Sequence, residues 1–429
     1  MPHTEPLSGL DAAFIALDSP NTPMHMGAVG VFQPTGNADP EQLWWLLAAR
    51  AEAIPRLRLR LRDTWFPLGG AQWERDPVFD AERHLRVRHA PDVHDPAALS
   101  RYASEWITEP LPPDAPPWQL DVLTDLPGGQ FALLLKLHHA LTDGAGAVRV
   151  AAGLFDGMPP HTEPPAPPEP VGRSWRDHLD DAVRNARNGW DIARAARPLH
   201  NAPLAAFPST ARRLAFVRID AADVRMIRKR HGGTPNDVAL AVLSGALRTW
   251  LRWRGERVDG LTLRALIPVS LRSRIAGAGN RLSGYLCDLP VGIASPLGRL
   301  AEVRACMDRN KSAGPNAGPG TLPLLANQLP VPLHRLFTGF VGVSSNALFD
   351  TTVTNVPLPN IPLRVGGARL KAAYPVVPLA PGQAIGVAVT PYRDAVHIGF
   401  NANADAAPDI GVLAEAVEKE TAILHELCS

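Results

Sequence analysis

The chain has 429 residues, 45% of them hydrophobic and 20% charged, with a formal net charge of +1. That is the profile of an ordinary soluble globular protein long enough for two or three domains, and one body of this length would bury roughly three quarters of its unfolded surface. With charges so nearly balanced, no global field draws in nucleic acid, although local basic patches stay open.

The cysteines, Cys287, Cys306 and Cys428, are far apart in sequence, odd in number and form no CxxC pair. This argues against a disulfide framework or a zinc site and fits a reducing cytoplasm. The opening MPHTEPLSGLDAAF has no basic n-region and no apolar h-region, so it does not read as a signal peptide. No run approaches the roughly 18 apolar residues of a membrane span. The longest candidates are broken by Lys136, or by His334 and Arg335. The expected location is cytoplasmic, with a peripheral position at the inner membrane or lipid droplets left open.

In chain order, Glu41–Ala53 reads as a helix with Leu43, Leu46 and Leu47 on one face. Arg56–Arg62 alternates leucine with arginine and predicts a one-sided strand. Its arginine face is read as solvated, with phosphate contact as the other reading. Phe131–Leu137, FALLLKL, predicts a buried strand, and Ala145–Phe155 a helix. Pro159–Pro170, PPHTEPPAPPEP, can be neither helix nor central strand and reads as a linker. Ser174–Ala196 looks helical, and a strand-like RLAFVRI begins near Arg212. The division expected is therefore 1–158, a linker with a connecting helix over 159–210, and 211–429. In the last part, Val224–Arg230 and Asn236–Trp253 read as helices, and Leu263–Pro268, Ala384–Thr390 and Ala395–Asn401 as strands. Sheets with interleaved helices in both halves predict two α/β layers.

The chemically informative segment is His138-His139-Ala140-Leu141-Thr142-Asp143-Gly144. It sits between a buried strand and a helix, where a chain commonly faces a cleft. Histidine alone has an unperturbed pKa near neutrality, which suits it to take a proton from an alcohol and return it. Asp143 reads equally well as the cap of the following helix. Gly144 is expected to permit a tight turn. Read without further context, the two histidines are as easily structural as catalytic. Thr234-Pro235-Asn236-Asp237 has threonine at N-cap, proline at N1 and aspartate at N3, a capping box that gives Asp237 a structural role and leaves Asn236 open.

The segment matches HHxxxDG, the motif of the CoA-dependent acyltransferase superfamily, which includes chloramphenicol acetyltransferases, plant acyltransferases and peptide condensation domains. Its surroundings narrow the match. Pro6–Val31 closely resembles the opening of the bacterial wax ester synthase/diacylglycerol acyltransferase family. Pro116-Pro117-Trp118 resembles that family's PLW segment, with Pro117 in place of leucine, and Asn236-Asp237-Val238 its ND motif. Pro268–Arg272 reads PVSLR, and Thr354–Pro359 reads TNVPLP where the family has SNVPGP, so Leu358 replaces glycine. Tyr374–Gln383 also resembles the family's C-terminal domain, and the resemblance runs from about residue 6 to about residue 405.

The resemblance implies two chloramphenicol-acetyltransferase-like α/β domains, each a mixed β-sheet with flanking helices, around a channel with His139 near its middle. It makes His139 the general base, with acyl-CoA as co-substrate, a fatty alcohol or diacylglycerol as acceptor, and no acyl-enzyme. His138 then shapes the site, and Asp143, beside Gly144, turns toward an arginine, for which Arg272 is a guess. Asn236 is a candidate oxyanion donor. No metal and no resident cofactor are expected.

Three alternatives compete. The same superfamily chemistry could act on a non-lipid alcohol or amine, a reading the N-terminal match disfavours. A hydrolase would need a nucleophile, but Ser8, Ser244, Ser283 and Ser344 all fail the GxSxG pattern, and no HExxH or Walker sequence is present. A non-catalytic lipid-binding or droplet protein could use the apolar stretch Pro323–Val343, although an intact HHALTDG weakens that reading.

Overall fold

The computed structural model describes residues 4–36, 39–64, 70–112, 114–158, 203–270, 282–313 and 348–428. The Pro159–Pro170 linker, the Ser174–Ala196 helix, Arg272 and Pro323–Val343 lie outside these residues.

The first part of the chain forms β1 (Thr4–Pro6), α1 (Gly9–Leu17), β2 (His25–Gln33), α2 (Pro40–Glu52), β3 (Leu59–Thr64), β4 (Gly70–Arg75), β5 (Leu85–His89), α3 (Pro96–Trp106), β6 (Trp118–Leu126), β7 (Gln130–His138) and α4 (Gly144–Gly153). Helix starts coincide with side-chain caps. Ser8 and Asp11 form a capping box for α1, while Asp39, Asp95 and Asp143 cap α2, α3 and α4. The Arg56–Arg62 expectation needs correction. Pro55–Arg58 is a 3-10 turn, because Pro55 presets its φ, and the strand begins only at Leu59.

The second part forms β8 (Arg212–Asp220), α5 (Ala221–His231), α6 (Pro235–Trp253), β9 (Leu263–Ser270), β10 (Leu282–Leu289), α7 (Pro296–Ala313), β11 (Thr351–Asn355), β12 (Arg364–Val365), β13 (Ala368–Val376), β14 (Ile385–Tyr392), β15 (Ala395–Asn403) and α8 (Ile410–Glu426). Cys287 on β10 and Cys306 on α7, distant in sequence, meet through a side-chain hydrogen bond as free thiols. No described helix is long and apolar enough to cross a membrane.

Two six-stranded mixed sheets organise the molecule, ordered β12-β13-β2-β7-β6-β5 and β10-β9-β11-β14-β15-β8, with a small sheet β1-β4-β3 beside the first. β7 is buried on both faces. Leu133 and Leu135 join the core under α2 and α4, whereas Ala132 and Leu134 join the core under α3. The second sheet carries α5–α8 on one core.

The order of the first sheet amends the expected contiguous unit 211–429. β12 and β13 leave the second part of the chain and complete the first sheet, where β13 runs antiparallel to β2. The chain then returns to the second sheet with β14. A strand's alternation specifies which face is buried but not which sheet it joins, so this crossover carries no local signal.

The lobes touch tightly at this crossover. A Cβ built on Gly399 of β15 would lie 1.8 Å from the carbonyl oxygen of Pro375 on β13. Ser104 of α3 accepts a hydrogen bond from the Leu214 amide on the edge strand β8, at 2.8 Å. Phe216 stacks on Tyr374, with centroids 4.6 Å apart. Gly399→Ala should therefore destabilise the protein by about 3 kcal/mol, the upper range for overpacking, because the opposing atom is backbone. Chemical denaturation of the variant checks this, and an unchanged midpoint would show that the sheets can separate freely.

Candidate active site

β7 delivers the two histidines. His138 is its last residue and lies opposite His25 of β2, and its amide donates to the Pro117 carbonyl at 3.0 Å. A short turn follows, closed by the Leu141 amide on the His138 carbonyl at 2.9 Å, and α4 begins at Gly144. Asp143 caps that helix, its carboxylate accepting from the Gly146 amide at 2.7 Å. Gly144 follows the turn as the first residue of α4 and does not occupy the left-handed region. What distinguishes it is proximity, since a Cβ there would meet Val356 of the second lobe at 3.4 Å.

His139 is held from both sides. Its amide donates to the Met24 carbonyl at 2.8 Å, and the Met24 amide donates to Asp18 at 2.8 Å. Phe14 of α1 stacks on the imidazole, with centroids 4.0 Å apart. Nδ1 is sealed from solvent. Burial pushes the imidazole down to about 4, so the ring is neutral at physiological pH. The residue as a whole stays partly accessible.

His138 is committed differently. Its Nδ1 accepts the Ala140 amide at 3.1 Å, and Nε2 faces an Asp18 oxygen at 3.7 Å. With the acceptor nitrogen occupied, the proton sits on Nε2, and the ring has no lone pair left to offer a substrate. Burial alone would raise the pKa of Asp18, but hydrogen bonds from His138 and the Met24 amide hold the carboxyl below its ordinary value. His25 donates from Nδ1 to the Ile107 carbonyl at 2.9 Å and packs edge-on to His138, and burial lowers it to about 4.

Three supports had no clear sequence signal. Lys136 is fully buried, and its ammonium donates to the Trp106 and Glu109 carbonyls at 2.7 and 2.8 Å, clamping β7 to the end of α3. Arg56, expected on a solvated or phosphate-binding face, is buried instead. Its Nε donates to the Leu141 carbonyl inside the histidine turn at 2.6 Å, and it pairs with Glu5 at 2.9 Å. Trp118 donates from its indole to the Leu57 carbonyl at 2.7 Å. Pro117 meets the motif through its carbonyl, which any residue supplies, so the leucine-to-proline departure leaves this contact intact.

The second lobe brings its motifs to the same place. The capping box of α6 is formed as expected, with the Thr234 amide on Asp237 at 2.7 Å and the reciprocal bond at 3.3 Å. The Asn355 side-chain Nδ2 donates to the Asn236 side-chain oxygen at 3.4 Å, and the next residue, Val356, faces Gly144. Contacts thus link Asn236, Asn355 and the start of α4. Among the described residues no three His, Cys, Asp or Glu side chains are grouped to hold a metal ion.

A family model described as "Wax ester synthase/diacylglycerol acyltransferase catalytic domain" matches residues 7–190, and one described as "WS/DGAT C-terminal domain" matches residues 278–425. The chain is 31% identical to "Probable diacyglycerol O-acyltransferase tgs1" of Mycobacterium tuberculosis (strain ATCC 25618 / H37Rv), covering 97% of this chain and 95% of that protein. It is also 31% identical to tgs2 of strain CDC 1551, over 88% and 89% of the two chains. Among solved structures it is similar to the wax ester synthase/diacylglycerol acyltransferase from Marinobacter aquaeolei VT8, with a TM-score of 0.75, 26% identity and 99% of each chain covered. The first condensation domain of the CDA synthetase, at 18% identity and a TM-score of 0.60, shares the fold.

Holding His139 at about 4 rather than 6.5 makes its protonation cost roughly 3 kcal/mol more inside the protein than in water. The unfolded chain therefore binds this proton first, and the ring withdraws stability as pH falls from 6.5 toward 4. In NMR of histidine-labelled protein, the His139 ring should stay neutral down to about pH 5, and Phe14→Ala, which opens the ring to water, should raise its pKa. A wild-type midpoint near 6.5 would show that the ring is solvated.

Proposed function

Because the chain belongs to the wax ester synthase/diacylglycerol acyltransferase family, we propose that it acylates a lipid hydroxyl with His139 as general base. The protein is an acyl-CoA-dependent O-acyltransferase. We assign diacylglycerol as the preferred acceptor, supported by relatives of that name spanning nearly the whole chain. A long-chain alcohol, giving a wax ester, is the other acceptor of the same site.

The observation that carries the mechanism is a neutral, partly accessible imidazole at the strand-to-helix turn, its Nδ1 sealed from solvent; this reading assigns the proton transfer to Nε2. Nε2 takes the proton of the acceptor hydroxyl as its oxygen attacks the thioester carbonyl. The tetrahedral intermediate collapses with cleavage of the C–S bond, and the proton on Nε2 passes to the departing CoA thiolate. Acid, base and bonds balance without an acyl-enzyme. The thioester itself supplies the activated acyl group, so acyl-CoA is a co-substrate rather than a resident cofactor.

Asn236 is the candidate donor to the oxyanion. Its side-chain oxygen is engaged by Asn355, which leaves its NH₂ group to point elsewhere. His138 and Asp143 are positioning residues in this reading, the first fixing the turn and the second the start of α4. Gly144 keeps the path between α4 and Val356 open. Both substrates carry long apolar chains, which favours a peripheral position at a membrane or lipid droplet.

The test is thiol release from palmitoyl-CoA with dipalmitoylglycerol, with hexadecanol and with no acceptor. Release should depend on acceptor, be fastest with dipalmitoylglycerol, and fall about a thousandfold in His139→Ala. Acceptor-independent release would point to hydrolysis, a preference for hexadecanol would change the product to wax ester, and an unimpaired variant would remove His139 from the chemistry.

A further inference from the structure

A second concave site lies away from the histidines. A cavity of about 900 Å³ opens between the lobes, lined by Val31 of β2, the start of α3 and the β14–β15 hairpin. Val31 lies opposite Ala132 on β7, whereas His138 lies opposite His25. Six residues of strand place the cavity about 20 Å from the histidine turn.

Its rim is cationic. Arg218 of β8, Arg225 of α5, Arg369 and Lys371 of β13 and Arg393 of the hairpin all line it, set against Asp95 and Asp394. Both carboxylates are occupied, Asp394 by Arg218 at 3.5 Å and Asp95 by the Ala98 amide at 2.6 Å. Among the described residues no carboxylate lies within 4 Å of Arg225, Arg369, Lys371 or Arg393. Arg393 also holds a left-handed backbone, with φ of 52°, in a two-residue turn where glycine or asparagine would be unstrained. The floor is apolar, including Leu99, Leu126 and Leu370.

An ordinary charged surface intersperses the two signs. Here cations from four separate elements converge on one concavity in a chain whose net charge is only +1. Like charges crowded in this way repel one another unless a counter-anion joins them. Planar guanidinium forks suit the several oxygens of a phosphate better than a single carboxylate needs. We propose that this cavity is a second binding site, separate from the histidine pocket, for a phosphate-bearing ligand: either a free phosphorylated compound or the headgroup of an anionic phospholipid.

The full chain is titrated calorimetrically with inorganic pyrophosphate. It is also floated with phosphatidylcholine vesicles with and without phosphatidylglycerol. Both measurements are repeated with the double variant Arg369→Glu, Lys371→Glu and with Arg393→Gly. The glycine variant removes a charge while relieving the backbone, so misfolding cannot account for its result. We expect binding to pyrophosphate or to phosphatidylglycerol vesicles, weakened about tenfold or more in both variants, with kcat and KM for palmitoyl-CoA unchanged. Pyrophosphate binding identifies a free phosphorylated ligand, and binding confined to the anionic vesicles identifies a headgroup. The proposal is overturned if neither probe binds, if the variants bind like the wild type, or if KM for palmitoyl-CoA rises alongside the loss, since the cations would then serve the acyl donor.

Discussion

A histidine buried inside a protein stays neutral in surroundings that resist charge, and the polar structure around His139 is arranged to meet that constraint. The imidazole is stacked under Phe14 and kept near 4 by burial. Burying it costs little only because the groups beside it are satisfied elsewhere. The Met24 carbonyl takes the His139 amide, Asp18 takes the Met24 amide, and His138 closes on Ala140 and Asp18. Each bond fixes backbone position, so the placement of the imidazole is set by main chain rather than by a free side-chain rotamer. Behind the turn, Arg56 holds the Leu141 carbonyl and Lys136 ties the strand to α3. Removing either cation would leave buried main-chain carbonyls without a donor, a loss of about 1–3 kcal/mol for each.

The same constraint explains why one sheet borrows strands from the far part of the chain. A site between two lobes is only as well defined as the contact between them. A covalent crossover locks that contact more firmly than surface packing does. β13 pairs with β2 along most of its length, and the return to β14 brings Gly399 against Pro375, where only a residue without a side chain fits. With the sheets so fixed, Val356, the residue after Asn355, reaches Gly144 of the first lobe. Motifs separated by more than a hundred residues thus become neighbours because the crossover leaves the lobes little freedom to slide.

Much of this was readable from local pattern. FALLLKL is buried on both faces, the Thr234–Asp237 capping box forms as its spacing requires, and the histidine pair stands at the strand-to-helix turn. These features depend on residues close in sequence, where periodicity and capping chemistry act directly. Arg56 was not readable, because alternation of leucine and arginine looks the same whether the arginine meets water or a buried carbonyl. Pro55 was the available clue, since it favours a turn over a strand start. The partner of β13 was unreadable for a different reason: which sheet a strand joins is decided by contacts distant in sequence. The hydrogen bonds of His138 to the Ala140 amide and of Asp143 to the Gly146 amide were visible only in the folded turn.

Charge offers the sharpest contrast between composition and structure. A net charge of +1 suggests an electrically quiet protein, yet the molecule separates its charges by place. Around His139 the structure packs aromatic and imidazole rings, and the nearby charged groups, Asp18, Arg56 and Lys136, all engage main-chain or side-chain partners. At the opposite end of the same β2–β7 pair, four cations stand around a cavity with no carboxylate partner among the described residues. Low dielectric strengthens every interaction near the base and penalises stray charge, whereas an open, solvated cavity tolerates it. Keeping the two environments about 20 Å apart, beyond a Debye length of about 8 Å in physiological salt, lets the cationic end meet an anion without tuning the imidazole. One sheet can therefore serve a charge-averse reaction at one end and a charge-seeking contact at the other.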